Sequence, residues 1–322
     1  MEVALLAGGT GGAKLAVGLR DLLHGHDAEP AARPGRLSVI ANTADDIEIH
    51  GVHVSPDPDL ISFRLAGVLD ERGFGIAGER HEQMDARRAA GEDVWFELGD
   101  DDLAVCATRA ALLAEGRRQT EAHARAIADH GFELGGASVL PMCDEPLRTI
   151  IDTPDGPRGV QQFLIQDRAE PEILGVRFDG AERATVTPEV RSALERAELV
   201  VIGPSNPAIS IAPILAAGGV VAALRAGGAP VLAVSPLVGG RVLKGPTARF
   251  MAAAGFAADS TGVAAYYESL HPGLIDAWIA DEPVSGHPHC LAHVAMGDPQ
   301  ATRAVAADVL EYGASLAPAA VA

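Results

Sequence analysis

Basic residues are scarce in this chain: Lys plus Arg number 25 against 44 Asp plus Glu in 322 residues, a formal net charge of −19. A duplex or RNA binder meets phosphates with a basic surface, so that class of partner is excluded. A single nucleotide is not, because backbone N–H groups and one metal ion can meet its few phosphates. Cysteine is scarce too. Cys106, Cys143 and Cys290 are odd in number, widely spaced and without a CxxC pair, which leaves neither a disulfide framework nor a zinc knuckle. Long apolar runs are also missing; the one at 209–224 is broken by Pro213, Gly218 and Gly219, so no membrane span is expected. The N-terminus has no basic region ahead of its short apolar run and reads as a first strand, not a signal peptide. A soluble cytoplasmic protein is expected. Apolar residues at 48% and charged residues at 21% are globular proportions. The length accommodates one large α/β domain or a domain with an inserted lobe.

What is present is an alternation. Short Val/Ile/Leu runs at 3–7, 37–41, 199–202 and 231–234 end in Gly, Asn or Ser clusters and lead toward helix-like segments. Such runs read as strands buried on both faces, as in a parallel sheet. The pattern predicts a doubly wound α/β fold, a Rossmann-like parallel sheet core. Residues 58–128 are rich in Ala, Glu and Arg and read as helical, at 79–90 and 103–115 for example; residues 130–185 carry turn signals and short strand-like stretches at 137–140 and 159–165. The expected division is a nucleotide-binding core from residues 1–57 and 186–314, with an inserted helical and short-strand lobe over 58–185.

Four loops at strand ends carry the chemistry. Gly8-Gly9-Thr10-Gly11-Gly12-Ala13-Lys14 follows the first strand and opens a helix. Glycines let the backbone approach a phosphate, the helix start offers N–H groups and a positive dipole end, and Thr10 and Lys14 add a hydroxyl and a cation. It is not a Walker A loop, and Lys14 stands where a dinucleotide fingerprint needs its third glycine. The second strand ends at Asn42 rather than at a ribose-holding acid, which disfavours NAD. Asp45 and Asp46, then Asp57 and Asp59 in the proline-stiffened Ser55-Pro56-Asp57-Pro58-Asp59, place carboxylates beside the glycine loop. Such a set suits Mg²⁺ shared with substrate phosphates, and a carboxylate near the metal can orient or deprotonate an attacking hydroxyl. The third loop, at 203–207, brings Ser205 and Asn206; the fourth, at 235–247, brings Arg241, Lys244 and Gly245. Ligands of open α/β sheets bind outside the carboxyl ends of the strands, so the four loops are expected to face one crevice.

In this order, GGTGGAKLA, NTADD with His50-Gly51, SPDPD, WFELGD, GPSNPAISIAPIL and VSPLVGG with KGPTA resemble the 2-phospho-L-lactate transferase family of coenzyme F420 biosynthesis, from Met1 to about Val309. The resemblance implies transfer of a phospholactyl-type group from a guanosine-diphosphate-linked donor to the ribityl hydroxyl of the deazaflavin Fo, with release of GMP. It implies that Asp45, Asp46 and Asp59 hold Mg²⁺ and the Fo side, with Asp59 or Asp45 orienting the hydroxyl for in-line attack. Gly9, Thr10, Gly11, Gly12, Ser205 and Asn206 are then the guanosine nucleotide's contacts, with Lys244 and Gly245 close by. Lys14 and Asn42 complete the expected substrate contacts, and Glu97 touches the deazaflavin. The 58–185 lobe becomes the acceptor side of the cleft. A homodimer is expected for such a fold.

The chain also departs from the family pattern. Where the family usually reads LGDRDLATH, Asp101 replaces the Arg and Val105-Cys106 the Thr-His pair; P-x-S-D has become Pro141-Met142-Cys143-Asp144, and H-F-Q is Val160-Gln161-Gln162. Phospholactate, phosphoenolpyruvate and 3-phosphoglycerate all stand as the donor's acid. A second reading is a non-catalytic nucleotide-sugar-binding regulator of the gluconeogenesis-factor type, which would use the glycine loop without the carboxylates.

Overall fold

The computed structural model describes residues 1–24, 35–243 and 245–316. In chain order the strands are β1 (Glu2–Ala7), β2 (Arg36–Ala41), β3 (Ile47–Ile49), β4 (Val52–Val54), β5 (Ser138–Pro141), β6 (Arg148–Thr153), β7 (Gly156–Gly159), β8 (Gly175–Asp179), β9 (Leu199–Ile202), β10 (Val231–Val234), β11 (Ala277–Ala280) and β12 (His289–Leu291). The helices are α1 (Gly9–His24), α2 (Pro56–Leu65), α3 (Glu82–Ala89), α4 (Asp100–Ala114), α5 (Gln119–Asp129), α6 (Pro188–Arg196), α7 (Ala212–Ala216), α8 (Val220–Gly227), α9 (Thr247–Ala253), α10 (Ser260–Leu270) and α11 (Pro299–Leu316).

The uniformly apolar runs form one seven-stranded sheet in the order β12-β11-β10-β9-β1-β2-β5, every neighbour parallel. Counting only these strands, the order from the β5 edge is 3-2-1-4-5-6-7, a doubly wound sheet whose direction of winding switches between β1 and β9. Side chains of β1 alternate between the two faces. Val3, Leu5 and Ala7 join a core with α1, α2 and α11, among them Leu15, Leu19, Ile61 and Val309. Ala4 and Leu6 join the opposite core with α6, α7, α8 and α10, among them Leu194, Ile214, Leu224 and Tyr267. Sealing both faces is what makes the strands continuously apolar.

The remaining elements gather near the carboxyl end of β2. The β3–β4 hairpin, α3 and α4 share a small core of Val52, Val54, Met84, Phe96, Leu98, Leu103 and Cys106, so Phe96 is a core residue as its apolar neighbours imply. A second, antiparallel sheet has the order β7-β6-β8 and is tied to the loop after β2 by Thr149 N donating to Ala44 O at 2.9 Å. No helix among the described residues is long and apolar enough to cross a membrane.

Two expectations are corrected here. Inside the 58–185 range, β5 is the edge strand of the main sheet beside β2, and α2 sends Ile61 and Leu65 into the main core. The range therefore contributes to the core as well as to the cleft wall. A four-residue edge strand with one exposed and one half-buried position is too short for a buried-strand pattern. The stretch at 159–165 is the end of β7 followed by a helical turn at Gln162–Gln166, because Val160 and Phe163 share a core at helical spacing.

Candidate functional site

The loops after β1 and β9 meet where the sheet reverses, the place at which open α/β sheets take their ligands. Gly8 N donates to Ser205 Oγ at 3.1 Å between them. A Cβ on Gly12 would lie 2.6 Å from Ala7 Cβ and 2.8 Å from Ser205 Oγ, and one on Gly11 would run into the carbonyl of Pro204. These two glycines allow the loops to touch. Gly9 differs: its φ is +60° with nothing within 4 Å of a Cβ, and Thr10 beside it is exposed. The open face of the loop is therefore Gly9-Thr10, at the N-terminus of α1, where backbone N–H groups and the helix dipole favour an anion.

Other expected contacts of the nucleotide have partners within the protein. Asn206 Oδ1 accepts from Ala208 N at 3.0 Å and Ile209 N at 3.3 Å, capping the next turn, while its Nδ2 donates to Thr247 Oγ1 at 3.2 Å. Asn206 thereby joins the third loop to the fourth. Lys14 Nζ donates to Met296 O at 2.7 Å. Gly245 has φ +76° with open space around it; Lys244 lies outside the described residues.

The carboxylates divide into three environments. Asp57 closes the glycine loop: its Oδ1 accepts from Gly9 N at 2.7 Å and its Oδ2 from Asn42 Nδ2 at 3.0 Å. Asn42 Nδ2 also reaches Ile209 O at 3.3 Å, and its Oδ1 accepts from Ala44 N at 3.0 Å. Asp45 is buried next to this pair, and its Oδ1 has no hydrogen-bond partner. Burial, then repulsion from Asp57, push its carboxyl far above the usual range, and burial also raises Asp57. Asp46 is fully engaged. Ser55 Oγ donates to its Oδ1 at 2.8 Å, Gln119 Nε2 donates to its Oδ2, and His53 Nε2 lies 3.4 Å away. Burial pushes Asp46 up to about 7, although Arg148 opposes the shift.

Asp59 sits in a third, buried environment. It forms an ion pair with Arg109, whose Nη1 also donates to His53 O at 3.1 Å. His123 Nδ1 lies 3.7 Å from Asp59 without a hydrogen bond, and His123 Nε2 meets Ser62 Oγ at 3.2 Å. Burial, with Arg109 adding to it, keeps His123 neutral. In the structure Asp45, Asp46 and Asp59, expected to share one ion, therefore stand in separate environments. Among the described residues, the group of three ligand types lying within 4.8 Å of one another is Asp59, Asp102 and Cys106. There the Arg109 guanidinium already supplies the positive charge, and burial pushes the Cys106 thiol far up. The reason is helical geometry. Pro56 starts α2, placing Asp57 and Asp59 in its first turn; two residues apart they diverge by roughly 200°, one toward Gly9 and the other toward Arg109.

Glu97 is exposed, paired with Arg88 at 3.0 Å and 3.8 Å from His81. Sequence reasoning missed Arg109, His53, Gln119, His123 and Arg148 and gave Asp57 no separate role. One signal was available: Asp102, Cys106 and Arg109 are four and three residues apart on one face of α4, an odd stripe for the inward face of a helix.

Comparison with known proteins identifies the family. Residues 3–314 match the family described as 2-phospho-L-lactate transferase CofD. A 2-phospho-L-lactate transferase of Methanosarcina mazei is 33% identical over 279 residues, 86% of each chain. One from Haloarcula marismortui is 37% identical over 313 residues, covering 87% of this chain and 88% of that one. A phosphoenolpyruvate transferase of Mycobacterium avium is 33% identical over 340 residues, covering 98% of this chain and 99% of that one. A crystal structure of a Bacillus halodurans protein of the UPF0052 family shares the fold, with a TM-score of 0.56, 16% identity, and coverage of 88% and 82% of the two chains. The chain is a transferase enzyme and belongs to the 2-phospho-L-lactate transferase family.

Proposed function

We propose that the protein moves a phosphate-linked acid unit from a guanosine-diphosphate-linked donor to the hydroxyl of the deazaflavin Fo, releasing GMP, as a step of coenzyme F420 biosynthesis. The observation that carries this reading is the juxtaposition, at the sheet's switch point, of an open Gly9-Thr10 loop with two buried carboxylates, Asp45 and Asp57, one of which has an unpartnered oxygen. A nucleotide-binding regulator of the second kind would need Asp57 to close the loop but has no use for the unpartnered carboxylate of Asp45.

Mg²⁺ fits this pair better than the expected trio. An orphaned buried oxygen on Asp45 and the mutual repulsion with Asp57 are what a hard cation relieves, whereas both oxygens of Asp46 accept hydrogen bonds from Ser55 and Gln119 and Asp59 has its ion pair with Arg109. Asp45 and Asp57 would hold the ion, which when bound neutralises phosphate charge and orients the donor. The chain's own groups do the rest. Backbone N–H groups at the start of α1 bind the phosphates of the guanosine part. The acceptor hydroxyl oxygen bonds to the distal phosphorus, the bond from that phosphorus to the bridging oxygen breaks, and GMP leaves with the oxygen. Asp45 takes the hydroxyl proton. Asp59, once expected in that role, instead supports the wall of the site through Arg109.

The test is incubation with Fo and each of the three candidate donors, read by mass spectrometry, with Fo fluorescence titration beside it. Product formation and Mg²⁺-dependent Fo binding are expected. Asp45→Asn should lower turnover by a factor on the order of 10³ or more at unchanged thermal stability. Nucleotide binding without Fo binding or product would favour the regulator.

A further inference from the structure

A cleft of about 370 Å³ opens between the loop after β2 and the β6–β7 hairpin. Asp45, Asp46 and Glu48 line one side; Arg148, Gln161 and Gln162 line the other. It adjoins the nucleotide crevice through a chain of contacts: Gly9 to Asp57, Asp57 to Asn42, and Asn42 to the backbone at Ala44. Ala44 and Asp45 are themselves part of the cleft lining.

The cleft is acidic except for Arg148. That residue makes one hydrogen bond, Nη1 to Leu147 O at 3.0 Å, and no ion pair among the described residues, although it is near enough to hold down the carboxyls of Asp46 and Glu48. A guanidinium carries five N–H donors in a planar fork that matches a carboxylate, so most of its capacity is unspent. An anion entering a cleft walled by three carboxylates needs such a counter-charge. The two glutamine amides add donors beside it. Phosphate groups already have the glycine loop and the Asp45–Asp57 pair, which leaves a different anion for Arg148.

We infer that this cleft is the subsite for the acid end of the donor and that Arg148 binds its carboxylate, with Gln161 and Gln162 at its flank. The inference rests on the transferase reading and names the specificity residue within it. All three candidate acids carry a carboxylate, so Arg148 selects for acid-bearing donors as a class. Selection among the three falls to the rest of the wall.

The experiment compares guanosine-diphosphate esters of lactate and of ethanol, which differ by the carboxylate, in wild type, Arg148→Gln and Arg148→Lys. A charge-assisted bidentate contact predicts that wild type prefers the lactate ester by about 100-fold in kcat/KM. The ratio should fall toward about 1 in Arg148→Gln and to an intermediate value in Arg148→Lys. An unchanged ratio in Arg148→Gln, with or without an equal loss on both esters, overturns the assignment. If wild type turns over neither these esters nor the phosphoenolpyruvate and 3-phosphoglycerate donors with Fo, the transferase reading fails separately. Calorimetric titration of the same proteins with the same two esters then decides the carboxylate site, and equal affinities in wild type overturn it.

Discussion

Single residues set the shape of the glycine loop at the sheet's switch point. Gly11 and Gly9 stand two positions apart in one loop for different reasons, and alanine separates them. In Gly11→Ala the new methyl meets the Pro204 carbonyl, so overpacking should cost about 1–3 kcal/mol in urea unfolding. In Gly9→Ala the methyl meets nothing, but φ +60° costs a side-chain-bearing residue about 1 kcal/mol. That variant should lose GMP affinity by about tenfold or more, because the methyl fills the approach to the backbone; calorimetric titration checks it. Asp102 offers a second test at this scale. Burial, then the charges of Asp59 and Glu79, push it up to about 8, well above an unfolded aspartate. The folded state keeps that proton between about pH 4 and 8 while the unfolded state loses it, so this group's contribution to stability falls as pH rises through that window. Asp102→Asn removes this dependence. Its stability relative to wild type should rise by up to about 4 kcal/mol from pH 5 to pH 8.5, measured by urea titration at both values.

At the scale of elements, α2 and α4 turn sequence proximity into spatial separation. The start of α2 aims Asp57 at the glycine loop and Asp59 at α4, where Arg109 is wholly buried. Arg109 also holds the carbonyl of His53 in the β3–β4 hairpin, so one guanidinium braces the hairpin, α2 and α4 beneath the site. Removing one partner of a buried pair strands the other. Asp59→Asn and Arg109→Met should each cost about 3–5 kcal/mol, and the double variant should cost less than the sum of the two. Equilibrium unfolding of the four proteins measures the coupling; additive losses would show that the pair does not act as a unit. The turnover loss in Asp59→Asn should follow its unfolding, in contrast to Asp45→Asn.

Across the whole molecule, the parallel sheet brings loops distant in sequence to one end, and a ligand at the switch point would bridge them. Ligands that bind the folded state alone raise its stability by mass action, about 2.7 kcal/mol at a concentration 100 times Kd. GMP with Mg²⁺ should therefore raise Tm, and the increment due to Mg²⁺ should vanish in Asp57→Asn. A net charge of −19 is compatible with the proposed diphosphate ligand, because local N–H groups and a bound cation would set the potential at the glycine loop.

The sequence alone determined the parallel sheet, its glycine loop and the end of the sheet where the site lies. Continuous apolar runs have few other homes than a two-sided core, and glycines ahead of a helix mark close backbone approach. It also placed Ser205 against that loop's end of the molecule. What it did not decide was how the aspartates are shared out. Whether Asp59 faces a metal or Arg109 depends on a helix 50 positions away along the chain, and whether Arg148 faces solvent or a cleft depends on a second sheet tied to Ala44 by one backbone bond. Periodicity reports which face of an element is buried; it carries no information on what that face meets. Contacts between elements remote in sequence, together with burial that changes the charge a carboxylate will bear, are set only when the chain is folded.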